Sequence, residues 1–447
     1  MLRIISHKFQ NLISDEKFSE ILQGSVWALS AQVLAAGVGL MTSIIIARAY
    51  GADMLGIVAV LNSFLMLATI FTVLGTQTSI LRLIPEHLTK YSPASAFRIY
   101  SKTQWMVVGV SGITGTVLFL SSGFIAKTIF SKPHLQLYFA LAAVFIIFKS
   151  LMLLNQQAVR GLRLIRVFAL LQLLPQLSWL LILVTLTLFF FHQSNPVYAM
   201  FSSFALTALA GVWLMNRAFK KRNNPEDAIQ PMPIRDILVL SLPMLMTATM
   251  TFIIGETGII MLGIFRPEAE VGYYAVAVKL ATLTLFFSQA VSTMAGPKFS
   301  ELYHSDKMDE LFYVAKKSAK LTFWTTTPIL LGFIILGKPI LYLVFGPEFA
   351  MAYLPLVMLV LGQFVNSISG ATGLFMNMTG NQIPFRNIVF VAALSNVGLN
   401  FLLTPEYGIY GAAIAAMISI AGWNIATLCF IKMKFGRTTG YFPKLAS

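Results

Sequence analysis

The chain has one cysteine, Cys429, in 447 residues. A single cysteine permits no intramolecular disulfide and excludes a stapled extracellular domain. Charge is also scarce: 11% of residues are charged and 57% are hydrophobic, against about 25% and about 45–50% in soluble domains. Acidic residues are the scarcer sign, 17 against 32 basic. Histidine offers no metal site, because His7, His87, His134, His192 and His304 fall in tails or loops without ligand spacing. No G-x-S-x-G, H-E-x-x-H or C-x-x-C motif is present. "GFIILGKP" from Gly332 matches the first seven P-loop positions, but Pro339 replaces the magnesium-binding Ser/Thr inside an apolar run. The outer loops are short, the longest running from about Ala126 to His134. They leave no room for the outer domain of a membrane glycosyltransferase or polymerase. The expectation is a protein that is not an enzyme and uses no metal or cofactor.

What the chain has is long apolar segments, with a mean hydropathy of +0.78. Crossing a bilayer core of about 30 Å takes about 20 residues at 1.5 Å each. Windows of that size place twelve spans near 24–47, 54–81, 103–125, 135–157, 165–191, 197–216, 237–265, 271–296, 321–345, 351–378, 384–403 and 408–431. They are expected to be helices, because lipid offers backbone groups no other partner. The fold class is an all-α polytopic membrane protein. The first 23 residues lack the apolar core and cleavage site of a secretory signal, so the first span is expected to act as an uncleaved anchor.

The net charge of +15 is topological. Of the 32 Lys and Arg, 25 fall on the side of the N-terminus and 5 on the other, while Lys149 and Lys279 lie within spans. Positive-inside then places both termini in the cytoplasm. The basic residues are spread over seven cytoplasmic segments, which argues against a nucleic-acid partner. The most polar stretch, 218–236, has six spans on either side. It divides the chain into a cytoplasmic tail 1–23, a lobe 24–217, a linker 218–236, a lobe 237–432 and a tail 433–447. A shift of 216 residues lays "GIVAV" at Gly56 on "GYYAV" at Gly272, and "SVWAL" at Ser25 on "SLPML" at Ser241. Two repeats of six spans insert in the same orientation, which implies a pseudo-two-fold along the membrane normal. Pro175, Pro243 and Pro328 fall within spans, where each removes a backbone hydrogen bond and invites a kink.

"GSVWALSAQVLAAGVGLMTSIIIARAYGADMLGIVAV", with Arg48, Gly51 and Gly56, resembles the first hairpin of the polysaccharide flippases. These belong to the multidrug/oligosaccharidyl-lipid/polysaccharide exporter superfamily. "QQAVRGLRLIRVFAL" resembles their fourth-to-fifth connection. "TGNQIPFRNIVFVAALSNVGLNFLLTPEYGIYGAAIAAMIS" carries the match furthest, through Gly380, Asn396, Asn400, Pro405, Gly408, Gly411 and Ala412. The resemblance implies a flippase in the bacterial inner membrane. Its substrate would be an undecaprenyl-diphosphate-linked oligosaccharide, moved by alternating access with a proton or sodium ion as coupling partner. Membrane lipid and a polysaccharide polymerase or glycosyltransferase are the further partners it implies. The alternative within the superfamily is a multidrug or organic-cation antiporter, and a non-transporting scaffold is the third reading.

A diphosphate joined to sugars needs a cationic, hydrated path. The candidate cations are Lys149 and Lys279 within spans and Arg48 and Arg82 at span ends, where snorkelling to the interface is the bland explanation. Gln32, Gln172, Gln289, Gln363, Asn366, Asn396 and Asn400 are candidate sugar contacts, with interhelical hydrogen bonding as the bland explanation. Glu256 is the one acidic residue within a span and the candidate ion-coupling group. It lies about 13 Å inside the membrane and Lys279 about 12 Å, counting 1.5 Å per residue from the turn between spans 7 and 8. Opposite charges at matched depth on neighbouring helices are expected to pair.

Overall fold

The computed structural model describes residues 16–222, 230 and 232–443. Among these residues the chain is helical throughout, with short π and 3-10 turns and no strand. Two helices are long enough to cross a membrane twice, and each breaks at a glycine. Glu16–Val73 breaks at Gly51 (φ 83°) and Gln382–Phe435 at Gly408 (φ 53°). Both angles lie in the left-handed region that glycine enters without penalty. The remaining spans are Pro93–Leu120, Gln136–Gly161, Ile165–Phe189, Asn195–Lys220, Ile234–Phe265, Glu268–His304, Met308–Phe345 and Pro347–Ser369. With each double-length helix counted twice and Ile234–Phe265 once, the described residues form a multi-pass membrane protein of twelve spans, six on either side of 221–233. Residues 1–15, 223–229, 231 and 444–447 of the predicted tails and linker lie outside the described residues.

Several boundaries differ from the hydropathy reading. Span 2 ends at Val73 rather than 81, because Leu74 and Gly75 turn left-handed and start a separate helix, Thr76–Lys90. That helix is amphipathic. Ile80, Leu83 and Ile84 are buried, while Lys90 and Glu86 pair at 2.8 Å on the exposed face. Span 10 ends at Ser369 rather than 378, at Gly370 (φ 68°). Pro175, Pro243 and Pro328 remain inside uninterrupted helices. The breaks inside the two double-length helices fall at glycine, where backbone freedom permits them.

The 216-residue register extends far beyond the stretch legible in the sequence. A π-helical turn at Ile125–Ile129 recurs at Leu341–Phe345, with both ends 216 higher in number. The starts of Pro93–Leu120 and Met308–Ile340 keep that register to within one residue. Gly56 and Gly272 show what the repeat does in space. A Cβ on Gly56 would fall on the carbonyl oxygen of Glu268 and 3.0 Å from the Gly272 nitrogen. A Cβ on Gly272 would fall on the carbonyl oxygen of Ala52 and 3.2 Å from the Gly56 nitrogen. Residues 52 and 268 are repeat equivalents, as are 56 and 272. The contact is thus its own image, which places a local two-fold between the glycines. Only hydrogen fits at either position.

By contacts the chain forms two compact units, neither of which coincides with a sequence half. The first comprises the described residues of 1–42, 71–117 and 143–244. Its core gathers Ile80, Ile84, Tyr100, Leu154, Leu171 and Phe219. The second comprises the described residues of 43–70, 118–142 and 245–447. Its core includes Phe299, Phe312, Phe375, Met376 and Ile431. The second unit thus joins one end of spans 1–4 to most of the second half.

Candidate functional site

In the second unit, Lys279 and Glu256 each meet a serine of the first half. Lys279 donates from Nζ to Ser43 Oγ at 2.6 Å, and Ser63 Oγ donates to the Glu256 carboxylate. These bonds join span 8 to span 1 and span 7 to span 2. They are near-images of one another. Ser63 is the repeat equivalent of Lys279, and Glu256 lies one turn from Ile259, the equivalent of Ser43. The two charges therefore occupy matching crossings around the Gly56–Gly272 contact, which accounts for their matched depth. Sequence reasoning missed both serines. The 216-residue offset could have found Ser63, because it lays that residue on Lys279.

In the first unit, Lys149 lies on Gln136–Gly161 and is 9% exposed. Its ammonium stands 4.0 Å from the centre of the Phe204 ring, a cation–π contact with span 6. Its neighbour Ser150 bonds Thr72 of span 2 at 2.6 Å. Two turns further on, Tyr100 donates to Asn155 at 2.7 Å. Span 4 thus presents a line of polar groups to spans 2, 3 and 6, with Lys149 as its charge.

The uncharged candidates divide by what they bond. Gln172 Oε1 is buried without a hydrogen-bond partner, and so is Gln176 Oε1 one turn on. Such acceptors are expensive to leave unfilled and are disposed to take hydroxyl donors. Gln363 accepts from Asn366 at 3.3 Å. Asn396 and Asn400 are buried in a ladder: Thr404 donates to Asn400, Asn400 to Asn396, and Asn396 to Ser419 of span 12 at 3.1 Å. The Asn396 amide ties span 11 to span 12, whereas the Asn400 amide bonds within span 11. Ser419 also lines an apolar cavity of about 450 Å³ with Asn387, Val391, Ser395 and Trp423. Gln32 is half-buried, and Gln289 is exposed on Leu285–His304.

The two arginine candidates separate from the lysines. Arg82 sits on the amphipathic helix beyond span 2, 63% exposed, with Glu86 at 3.8 Å. Arg48 donates to the carbonyl oxygens of Leu343 and Val344, the former at short range and the latter at 3.0 Å. Nearby, Lys132 donates to the Arg266 carbonyl at 2.7 Å and lies 3.6 Å from the Glu268 carboxylate, which His134 also contacts at 3.0 Å. Burial lowers the Lys132 ammonium below its ordinary value, and Glu268 pulls it back up. Sequence reasoning gave Lys132 no role, because a lysine in a short loop carries no signal of its own.

Lys149, buried, and Lys279, half-buried, in helical spans with an internal repeat define the class: a polytopic helical membrane protein with charge held inside its spans. A family described as polysaccharide biosynthesis protein matches residues 45–353, and the chain belongs to it. The probable low-salt glycan biosynthesis flippase Agl15 of Haloferax volcanii is 26% identical over 161 residues, 36% of this chain and 34% of that protein. The match thus spans about a third of that relative. Among solved structures, the lipid II flippase MurJ in an inward closed conformation is similar with a TM-score of 0.70. The identity is 16%, covering 92% of this chain and 87% of that one. A transporter from Pyrococcus furiosus, described as a MOP superfamily member with a binding pocket of reverse polarity, gives a TM-score of 0.61 at 14% identity. It covers 92% of this chain and 95% of that chain. These likenesses carry the fold.

Proposed function

We propose that the protein is a flippase for a lipid-linked oligosaccharide, carried on a polyprenyl diphosphate such as undecaprenyl diphosphate. It works in the bacterial inner membrane with both termini in the cytoplasm. The observation that carries this reading is Lys149, an ammonium 9% exposed within a span. A charge at such depth is expensive, and a transporter of anions has a use for it. Lys149 in the first unit and Lys279 in the second are each a candidate contact for the diphosphate. Gln172 takes sugar hydroxyls. The carrier's hydrocarbon tail stays in the lipid, so only the head group needs a polar path. The family membership and the relative described as a flippase support the same reading.

Transport proceeds by alternating access, with the lobe 24–217 moving against the lobe 237–432 and the 218–236 linker outside the membrane. Glu256 exchanges a proton or sodium ion during the cycle. A polymerase or glycosyltransferase supplies or uses the saccharide on either face. Deleting the gene tests the reading. Lipid-linked saccharide is expected to accumulate in the inner leaflet as surface glycan falls. Loss of cationic-dye efflux with normal surface glycan would instead establish the antiporter alternative.

A further inference from the structure

We infer that Arg48 and Lys132 form a one-sided latch that holds the outer ends of the two halves together. The inference rests on the alternating-access reading above. It removes Arg48 from the diphosphate-binding set.

Each cation caps a helix end. Leu343 and Val344 lie at the end of the π-helical turn Leu341–Phe345, just before Gly346 turns away at φ 130°. Arg266 follows the last residue of Ile234–Phe265. Carbonyls at such ends lack intrahelical donors and carry partial negative charge. Arg48 and Lys132 supply the missing donors, and both come from the first half to serve ends in the second. Glu268, beside Lys132, draws that ammonium further in. Asp53 and His134 are the other titratable groups of the first half beside the Lys132–Glu268 pair.

The repeat shows that this arrangement is not required by the fold. The repeat equivalent of Arg48 is Ile264, and that of Lys132 is Glu348. Neither can donate a charged hydrogen bond. The Gly56–Gly272 contact, by contrast, is made by equivalent residues on both sides. Backbone packing at the axis is symmetric and structural, whereas the cations are an addition made by one half only. An addition of this kind suits a reversible closure. The latch groups lie at the mouth, where water replaces the carbonyls as the halves part, so opening carries a moderate barrier.

The test is thiol labelling in intact cells. A cysteine is placed at Val60, which is 1% exposed and packs on Gly263, in a Cys429→Ala background. The reagent is a membrane-impermeant maleimide. In the otherwise native protein, labelling is expected to be slow. Arg48→Met with Lys132→Met is expected to raise the rate about tenfold or more, the scale of losing charge-assisted hydrogen bonds. The thermal midpoint of the purified protein should not change, and Arg48→Lys should fall between the two. If the double variant is poorly produced, Lys132→Met alone gives the same readout. An unchanged rate would overturn the latch. A faster rate with a lowered midpoint would also overturn it, because the residues would then be structural supports. No substrate is involved, so failure here leaves the flippase reading to its own experiment.

Discussion

Lys149→Ala is expected to fold, to insert and to lose most of its transport of lipid-linked saccharide. The effects on stability and transport should have opposite signs. Placing a lysine at the centre of a membrane helix costs about 2.5–3.5 kcal/mol on insertion scales. The Phe204 ring, 4.0 Å away, returns about 0.5–2 kcal/mol. Alanine removes the insertion cost together with the charge, so it should be tolerated by the fold. Removing one partner of a desolvated ion pair costs about 2–5 kcal/mol. Transport should therefore fall about 30-fold or more, at about 1.4 kcal/mol per factor of ten. Lys149→Arg, which keeps the charge, should retain part of the activity. Surface glycan in the cell and the unfolding midpoint of the purified protein are the two measurements. Wild-type glycan in the alanine variant would remove Lys149 from the site.

The second large effect concerns the matched crossings. Lys279→Ala is expected to weaken substrate binding about 30-fold, again on the scale of a lost buried charge contact. Glu256→Gln keeps an acceptor for the Ser63 hydroxyl but abolishes titration. It should leave binding intact and remove the dependence of transport on the ion gradient. The exchange of both charges, Glu256→Lys with Lys279→Glu, discriminates most sharply. Serine hydroxyls donate as readily as they accept, so Ser43 and Ser63 can bond the swapped pair and the protein should fold. It should not transport, because the cation has left the crossing of spans 1 and 8. Normal transport by the swapped protein would make both residues structural.

The fold was legible wherever hydropathy and period carry it. Twelve apolar windows became twelve spans, and the Gly56–Gly272 register was visible in two short strings. Windows of 20 residues register only what lies in lipid. They therefore missed the charged starts of Pro93–Leu120 and Met308–Ile340, which run past the apolar stretch. They also merged Thr76–Lys90 with span 2, because one face of an amphipathic helix reads as apolar. The π-helical turns left no sequence signal, and only the structure shows that they repeat. In the site, isolated charges at depth stood out because the background is uncharged. Their partners did not: Ser43, Ser63 and Phe204 are ordinary residues in membrane helices. Asn396 and Asn400 stood out for the same reason as the lysines, but the bond from Asn396 to Ser419 of span 12 was not legible, since composition alone does not show what an amide bonds.

The most direct measurement places the purified protein in liposomes with a polyprenyl-diphosphate-linked saccharide in one leaflet, and follows the saccharide's exposure to a lectin on the other side. The account predicts exposure that depends on the protein, is lost with Lys149→Ala and is competed by free polyprenyl diphosphate. Exposure no faster than in empty liposomes, from protein that moves a cationic dye in the same vesicles, would contradict it.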